Sequence, residues 1–234
     1  MLRFPSTKQK YMIKAIYYKE WIKTRWYCLL ALLLSSGFAG YAMMRVARVY
    51  SLKGADHLWV VMIQRDAIFV DMLQFVPLFL GLAFAVVQFA PEMHHKSFKL
   101  TLHLPIRASK ALASMLVFGG AVLLGIFALS LVIMWAYLHT VLAPELWRHI
   151  ILSTLPWYLA GVAAYLLTSW IALEPTWKRR VLNGVAAVLL LRIYFLAPAP
   201  EAYNGFLPLL ALVTLMYSLL SMLSLSNFRD GRQD

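Results

Sequence analysis

Glu92, His94 and His95 stand within four consecutive positions, and a carboxylate beside imidazoles is the donor type that holds a borderline metal ion. No further donor of matching spacing accompanies them and no His-Glu-x-x-His occurs, so the trio reads as interfacial polar residues and no metal site is expected. The 6 histidines, at His57, His94, His95, His103, His139 and His149, fall in loops or at the ends of apolar stretches. Axial haem ligation needs imidazoles facing one another inside a bundle, which this distribution does not offer. There is no Gly-x-x-x-x-Gly-Lys-[Ser/Thr] loop to cradle nucleotide phosphates and no Gly-x-Ser-x-Gly elbow. Asp71 and Arg192 are the ionisable residues lying within long apolar stretches, each a candidate intramembrane polar site. Asp71 sits near the outer end of its stretch, within reach of water or of Arg65, and Arg192 can snorkel to an interface a turn away. No acid, base and nucleophile converge, so catalysis on this chain is not expected. The single cysteine, Cys28, reads as packing.

The elements that would position these residues follow from composition. The 234-residue chain is 62% hydrophobic and 14% charged, too apolar for a water-soluble domain. Its apolar residues gather in blocks near the ~20 residues that an α-helix needs to cross a bilayer, and runs such as 29–34 and 185–191 lack the alternation of a membrane β-barrel. The expected fold is an all-α integral membrane protein with six transmembrane helices at about 26–44, 67–90, 111–138, 150–173, 182–197 and 206–226. A net charge of +12 would suggest nucleic acid for a soluble chain, but here the charges follow topology. Residues 1–25 hold seven basic side chains, and Lys96, Lys99, Arg107, Lys110, Lys178, Arg179, Arg180, Arg229 and Arg232 fall on the same side. The other side carries Arg45, Arg48, Lys53, Arg65 and Arg148. The positive-inside rule then places both termini in the cytoplasm and the chain in the inner (cytoplasmic) membrane.

Residues 1–25, where Tyr11, Tyr17, Tyr18 and Trp21 mix with lysines, suggest a short interfacial N-terminal helix. Residues 45–66 form an external segment with room for a short surface helix. Pro77 predicts a kink near the middle of the second span. Glu174 and Pro175 stop the fourth span before a Trp177-Lys178-Arg179-Arg180 anchor. The Pro-rich stretch 197–205 breaks the helix between the last two spans, the kind of place where irregular backbone lines a cavity. Small residues four apart, Ser36 and Gly40, Ala121 and Gly125, and Ala160 and Ala164, permit close helix packing. Residues 227–234 form a cytoplasmic tail.

The connector 91–110 is long for a loop between two spans, and in it Phe98, Leu102 and Ile106 recur every four residues among lysines, an apolar face with a wet flank. It resembles the signature region of the type 2 ABC transporter permeases: a glutamate ending the second span, a basic and apolar stretch, a Leu-Pro-x-Arg run and a lysine opening the third span. Glu92, Lys96 to Lys99, Leu102, Leu104-Pro105-Ile106-Arg107 and Lys110 match in order, and Lys19-Glu20-Trp21 is similar to the family's N-terminal elbow motif. His94 and His95 depart from the small residues usual there.

The resemblance implies the membrane half of an ATP-driven transporter, with export as the expected direction. Two permease chains, identical or related, would pair in lipid, with ATP and magnesium held by a separate cytoplasmic ATP-binding cassette ATPase and no cofactor on this chain. Glu92, Lys96, Phe98, Lys99, Leu102, Pro105, Arg107 and Lys110 would then couple the ATPase to the bundle. The alternative is a non-transporting scaffold or assembly subunit that uses the same loop to hold a cytoplasmic partner.

Overall fold

The computed structural model describes residues 6–64, 70–94, 107–197 and 199–229. Among these, all regular structure is helical: α1 (Ser6–Trp59), α2 (Val76–His94), α3 (Ala108–Val141), α4 (Pro144–Leu173), α5 (Trp177–Arg192) and α6 (Leu207–Arg229). Short turns join them, a π-helical one at Val60–Gln64 and 3-10 turns at Asp71–Leu73, Ile193–Phe195 and Asn204–Phe206. Five stretches are long and apolar enough to cross a membrane, Tyr11–Gly54, Asp71–Met93, Ala108–Val141, Pro144–Leu173 and Asn204–Ser226, as in a multi-pass membrane protein.

The expected fifth span folds as α5 but is only 16 residues long and is not among the five. Its first turn is spent on Trp177, Lys178, Arg179 and Arg180 and its last residue is Arg192, so the apolar stretch between is about half the ~20 residues a perpendicular span uses. The second expected span also changes. Its helix begins at Val76, not near residue 67, and Pro77 is its second residue. The proline therefore starts the helix instead of kinking it, because its missing N–H falls where an amide has no intrahelical partner anyway.

The basic leader is helical, as expected, but is not a separate interfacial element. α1 is unbroken from Ser6 until Gly54, where φ 78° and ψ 171° leave helical geometry at a residue that adopts positive φ without steric cost. The segment expected to be external is thus mostly the end of this long helix, and the short helical stretch after Gly54 tucks Leu58 and Met62 into the interior.

α4 is the hub, packed on α2, α3, α5 and α6, while α1 lies along α3 and α2. The α2–α4 crossing is backbone on backbone: a Cβ on Gly81 would lie 1.9 Å from the Gly161 carbonyl oxygen, and one on Gly161 would lie 2.6 Å from that of Pro77. Of the small-residue pairs expected to bring helices together, Ala160 and Ala164 are fully buried. Gly40 and Gly125 are not at close approaches, since a Cβ at either meets nothing within 4 Å.

The buried seam of α1 runs through Ile16, Glu20, Thr24, Cys28, Ala31, Ser35, Ala39, Ala42 and Val46, at steps of three and four that keep one face. It is small and polar, while Leu29, Leu30, Leu33 and Phe38 point outward. Lipid tails solvate leucine as well as a neighbouring helix does, so close-packing small residues and hydrogen-bonding groups turn inward.

Candidate functional site

Glu92 closes the last turns of α2 just before the connector, and its side chain is 3% exposed. A carboxylate so enclosed persists as an anion only with cations against it. α1 supplies two: Lys19 Nζ at 2.8 Å and Lys23 Nζ at 3.0 Å from Glu92 Oε1. Lys23 also reaches back one turn to Glu20, at 3.0 Å from Oε1 and 2.9 Å from Oε2. Lys19, Lys23, Glu20 and Glu92 thus form a charge-balanced quartet across the α1–α2 interface. Four residues separate Lys19 from Lys23, and the helical repeat puts both ammonium groups on the side of α1 that meets α2.

The polar seam continues inward. Gln88 precedes Glu92 by four residues and shares its face; its Nε2 donates to the Met115 carbonyl of α3 at 3.0 Å, and its Oε1 accepts from the Tyr165 hydroxyl of α4 at 2.8 Å. Tyr165 is wholly buried. Gly119 makes room for this bond, because a Cβ there would stand 2.1 Å from the Tyr165 hydroxyl oxygen and 2.6 Å from Gln88 Oε1. One hydrogen-bonded chain therefore ties α1, α2, α3 and α4 together behind the connector. Tyr165→Phe, which strips a buried acceptor of its donor, is expected to cost about 1–2 kcal/mol, seen as a lower thermal midpoint of the purified protein in detergent.

Of the residues expected to act through the connector, Glu92, Arg107 and Lys110 lie within the described structure. Arg107 caps α3 in extended conformation (φ −60°, ψ 130°), and Arg107 and Lys110 are both exposed at the start of that helix. Lys96, Phe98, Lys99, Leu102 and Pro105 lie outside the described residues. The partners of Glu92 were not read from sequence as its partners. Lys19 and Glu20 stood out only as an elbow motif, and the one signal for Gln88 was a lone amide in an apolar run, in helical register with Glu92.

Glu174, expected only as a helix stop, is also buried at this end of the bundle. Ser224 of α6 donates to its Oε2 at 2.5 Å, and Arg180 Nε of α5 donates to its backbone carbonyl at 2.7 Å. The α4–α5 turn and the end of α6 are held together through this one residue.

At the opposite end, Asp71 opens the 3-10 turn before α2 and pairs with Arg45 Nη1 at 2.8 Å. Arg45, from the far part of α1, fills the role expected of Arg65, which lies outside the described residues. Arg192 is exposed at the end of α5, and among the described residues no ion pair joins it to Asp71. Both partners of the Arg45–Asp71 pair are open to solvent (41% and 60%), so Asp71→Asn is expected to change stability by no more than about 1 kcal/mol, within a few degrees in a melting scan.

Among the described residues, the break after α5 folds as a turn. The Tyr203 hydroxyl donates to the Ile193 carbonyl at 2.6 Å and accepts from the Ala197 amide at 3.1 Å. Glu201, at φ 60°, is held by His149 Nδ1 at 2.8 Å and by the Asn204 side-chain amide at 2.7 Å. Together with Asp71, Gln74 and Ser153 this turn lines a cavity of about 240 Å³.

No family model, curated protein or solved structure matches the chain.

Proposed function

We propose that this chain is the permease subunit of an ATP-driven transporter of the type 2 ABC kind, paired in the cytoplasmic membrane with a second permease chain and driven by a separate ATP-binding cassette ATPase. In this reading α5 with its following 3-10 turn crosses as a tilted or locally thinned sixth span, both termini lie in the cytoplasm, and substrate moves outward. ATP and magnesium reside on the partner, and the chain itself carries out no chemistry.

One observation carries the reading: the root of the 91–110 connector is bolted to the bundle. Glu92 is locked to Lys19 and Lys23, and Gln88 one turn earlier is bonded to α3 and α4. A force applied to the connector would therefore move four helices and not just bend a loop. That is what a bundle with two arrangements requires if it is to be switched by a subunit that grips it differently in each state.

The test is co-purification of the tagged full chain from its native membranes, in which an ATP-binding cassette ATPase should be retained, followed by ATP-dependent transport in vesicles. Phe98→Asp, which places a charge on the apolar face of the connector, is expected to abolish ATPase association and leave the permease folded. Association and ATP-driven transport at wild-type level in that variant would refute the role given to the connector.

A further inference from the structure

A second site lies on the lipid-facing side of the α1–α3 pair, away from the quartet. Trp21, Arg25, Leu29 and Leu32 of α1 and Gly125 and Ile126 of α3 border a groove of about 540 Å³. The groove exists because α3 has no side chain at Gly125, where a Cβ would meet nothing within 4 Å. Its walls are almost wholly apolar, and Arg25 is the one charged residue among those that line it. Only two residues from Lys23, Arg25 is exposed and has no carboxylate ion pair among the described residues, whereas Lys23 is engaged by Glu20 and Glu92. Its guanidinium lies 5.7 Å from the centre of the Trp26 ring, a cation–π contact that favours this position. Trp21 and Trp26 are themselves exposed, as indoles are at the headgroup level of a bilayer.

We infer that this groove holds one phospholipid with an anionic headgroup, its acyl chain along Leu29, Leu32 and Gly125 and its phosphate on Arg25. Charge complementarity selects that occupant. An apolar concavity facing a bilayer is filled by an acyl chain, and a planar guanidinium at its mouth offers paired N–H donors to phosphate oxygens. A zwitterionic lipid brings a compensating ammonium into the field of Arg25 and of the neighbouring basic residues of α1; an anionic one does not. The site requires only that the chain lie in a membrane and is independent of the transporter reading.

The test is native mass spectrometry of the full chain released from nanodiscs of equimolar phosphatidylglycerol and phosphatidylcholine. The wild-type chain is expected to retain one phosphatidylglycerol in preference to phosphatidylcholine by roughly fivefold, the ratio for one cation at a membrane surface. Arg25→Gln should remove the preference, and Gly125→Leu, whose Cβ meets nothing within 4 Å and whose side chain would occupy the groove, should remove the retained lipid altogether. Arg48→Gln, which deletes an exposed cation from the far part of α1, should behave as wild type. Circular dichroism and gel filtration establish that each variant is folded. Retention unchanged in Gly125→Leu, preference unchanged in Arg25→Gln, or equal loss in Arg48→Gln would each overturn the assignment, the last by reducing it to net charge.

Discussion

Leucine in place of Gly161 is expected to leave no monodisperse protein after extraction into mild detergent. At this crossing even a methyl group would stand 2.6 Å from the Pro77 carbonyl oxygen and 2.8 Å from the tip of Phe127. The first of these is backbone near the start of α2, which can yield only if the helix is displaced. Gly81→Leu attacks the same crossing from the other side, where a Cβ would overlap the Gly161 carbonyl at 1.9 Å. Overpacking a well-filled core typically costs ~1–3 kcal/mol when side chains can adjust. Here they cannot, and the cost is a large part of the ~5–15 kcal/mol that holds a typical domain together. Gly37→Ala and Gly184→Ala supply the comparison, since a Cβ at either position meets nothing within 4 Å. Both should elute as wild type, with a slightly raised midpoint from better helix propensity. A sharp wild-type elution peak from Gly161→Leu would mean that the α2–α4 crossing is not packed as described.

The second large effect is expected at Glu92. Glu92→Gln removes one anion from a quartet of two carboxylates and two ammonium groups, leaving Lys23, only 18% exposed, to share a single carboxylate with Lys19 nearby. Breaking a buried pair costs ~3–5 kcal/mol. The lower end applies here because Lys19 is 42% exposed and can turn toward water. At 2–4 °C per kcal/mol for a chain of this size, the midpoint should fall by roughly 6–12 °C. Adding Lys19→Gln restores balance, since Lys23 and Glu20 remain paired, and should recover most of the loss. Transport, by contrast, should stay low in the double variant if Glu92 anchors the connector as proposed. A midpoint within 2 °C of wild type, by the same scaling, in Glu92→Gln alone would show that the quartet contributes little.

Glu92 was legible because it ends an apolar run and opens a long basic connector, both of which are local patterns. The quartet was not. Lys19 and Lys23 read as two of seven basic residues in a leader whose charges occupy more than one face, and only the packing of α2 against that helix distinguishes them from Arg25. Helix lengths showed a similar division. α3 and α4 lie close to the expected spans, whereas α1 runs far beyond its apolar block because leader and span share one unbroken helix. Pro77 was misplaced by position: a proline counts as a kink or as a helix start according to where the first turn falls, and residues 67–75 are apolar enough to hide that boundary. Gly161 belongs to no such spacing within its helix and Gly81 only pairs with Ala85 four residues on, so their meaning comes from facing each other across the α2–α4 contact. The α1 seam escaped for a chemical reason. The greasiest face of α1 is its lipid side, because in this solvent alanine, serine, threonine and a glutamate sit inward among only a few larger residues such as Ile16, Met43 and Val46.

That seam bears on how the nascent chain is threaded into a bilayer. Glu20 leaves the ribosome with Lys23 three residues behind it, so this buried anion is matched within one turn before any other helix is made. Glu92 arrives later to find Lys19 and Lys23 waiting, and Gln88 is completed only when Met115 and then Tyr165 have been synthesised. Each polar group meets its partner in the order of translation, and a truncated product ending before Tyr165 would expose an unsatisfied amide for membrane quality control to recognise.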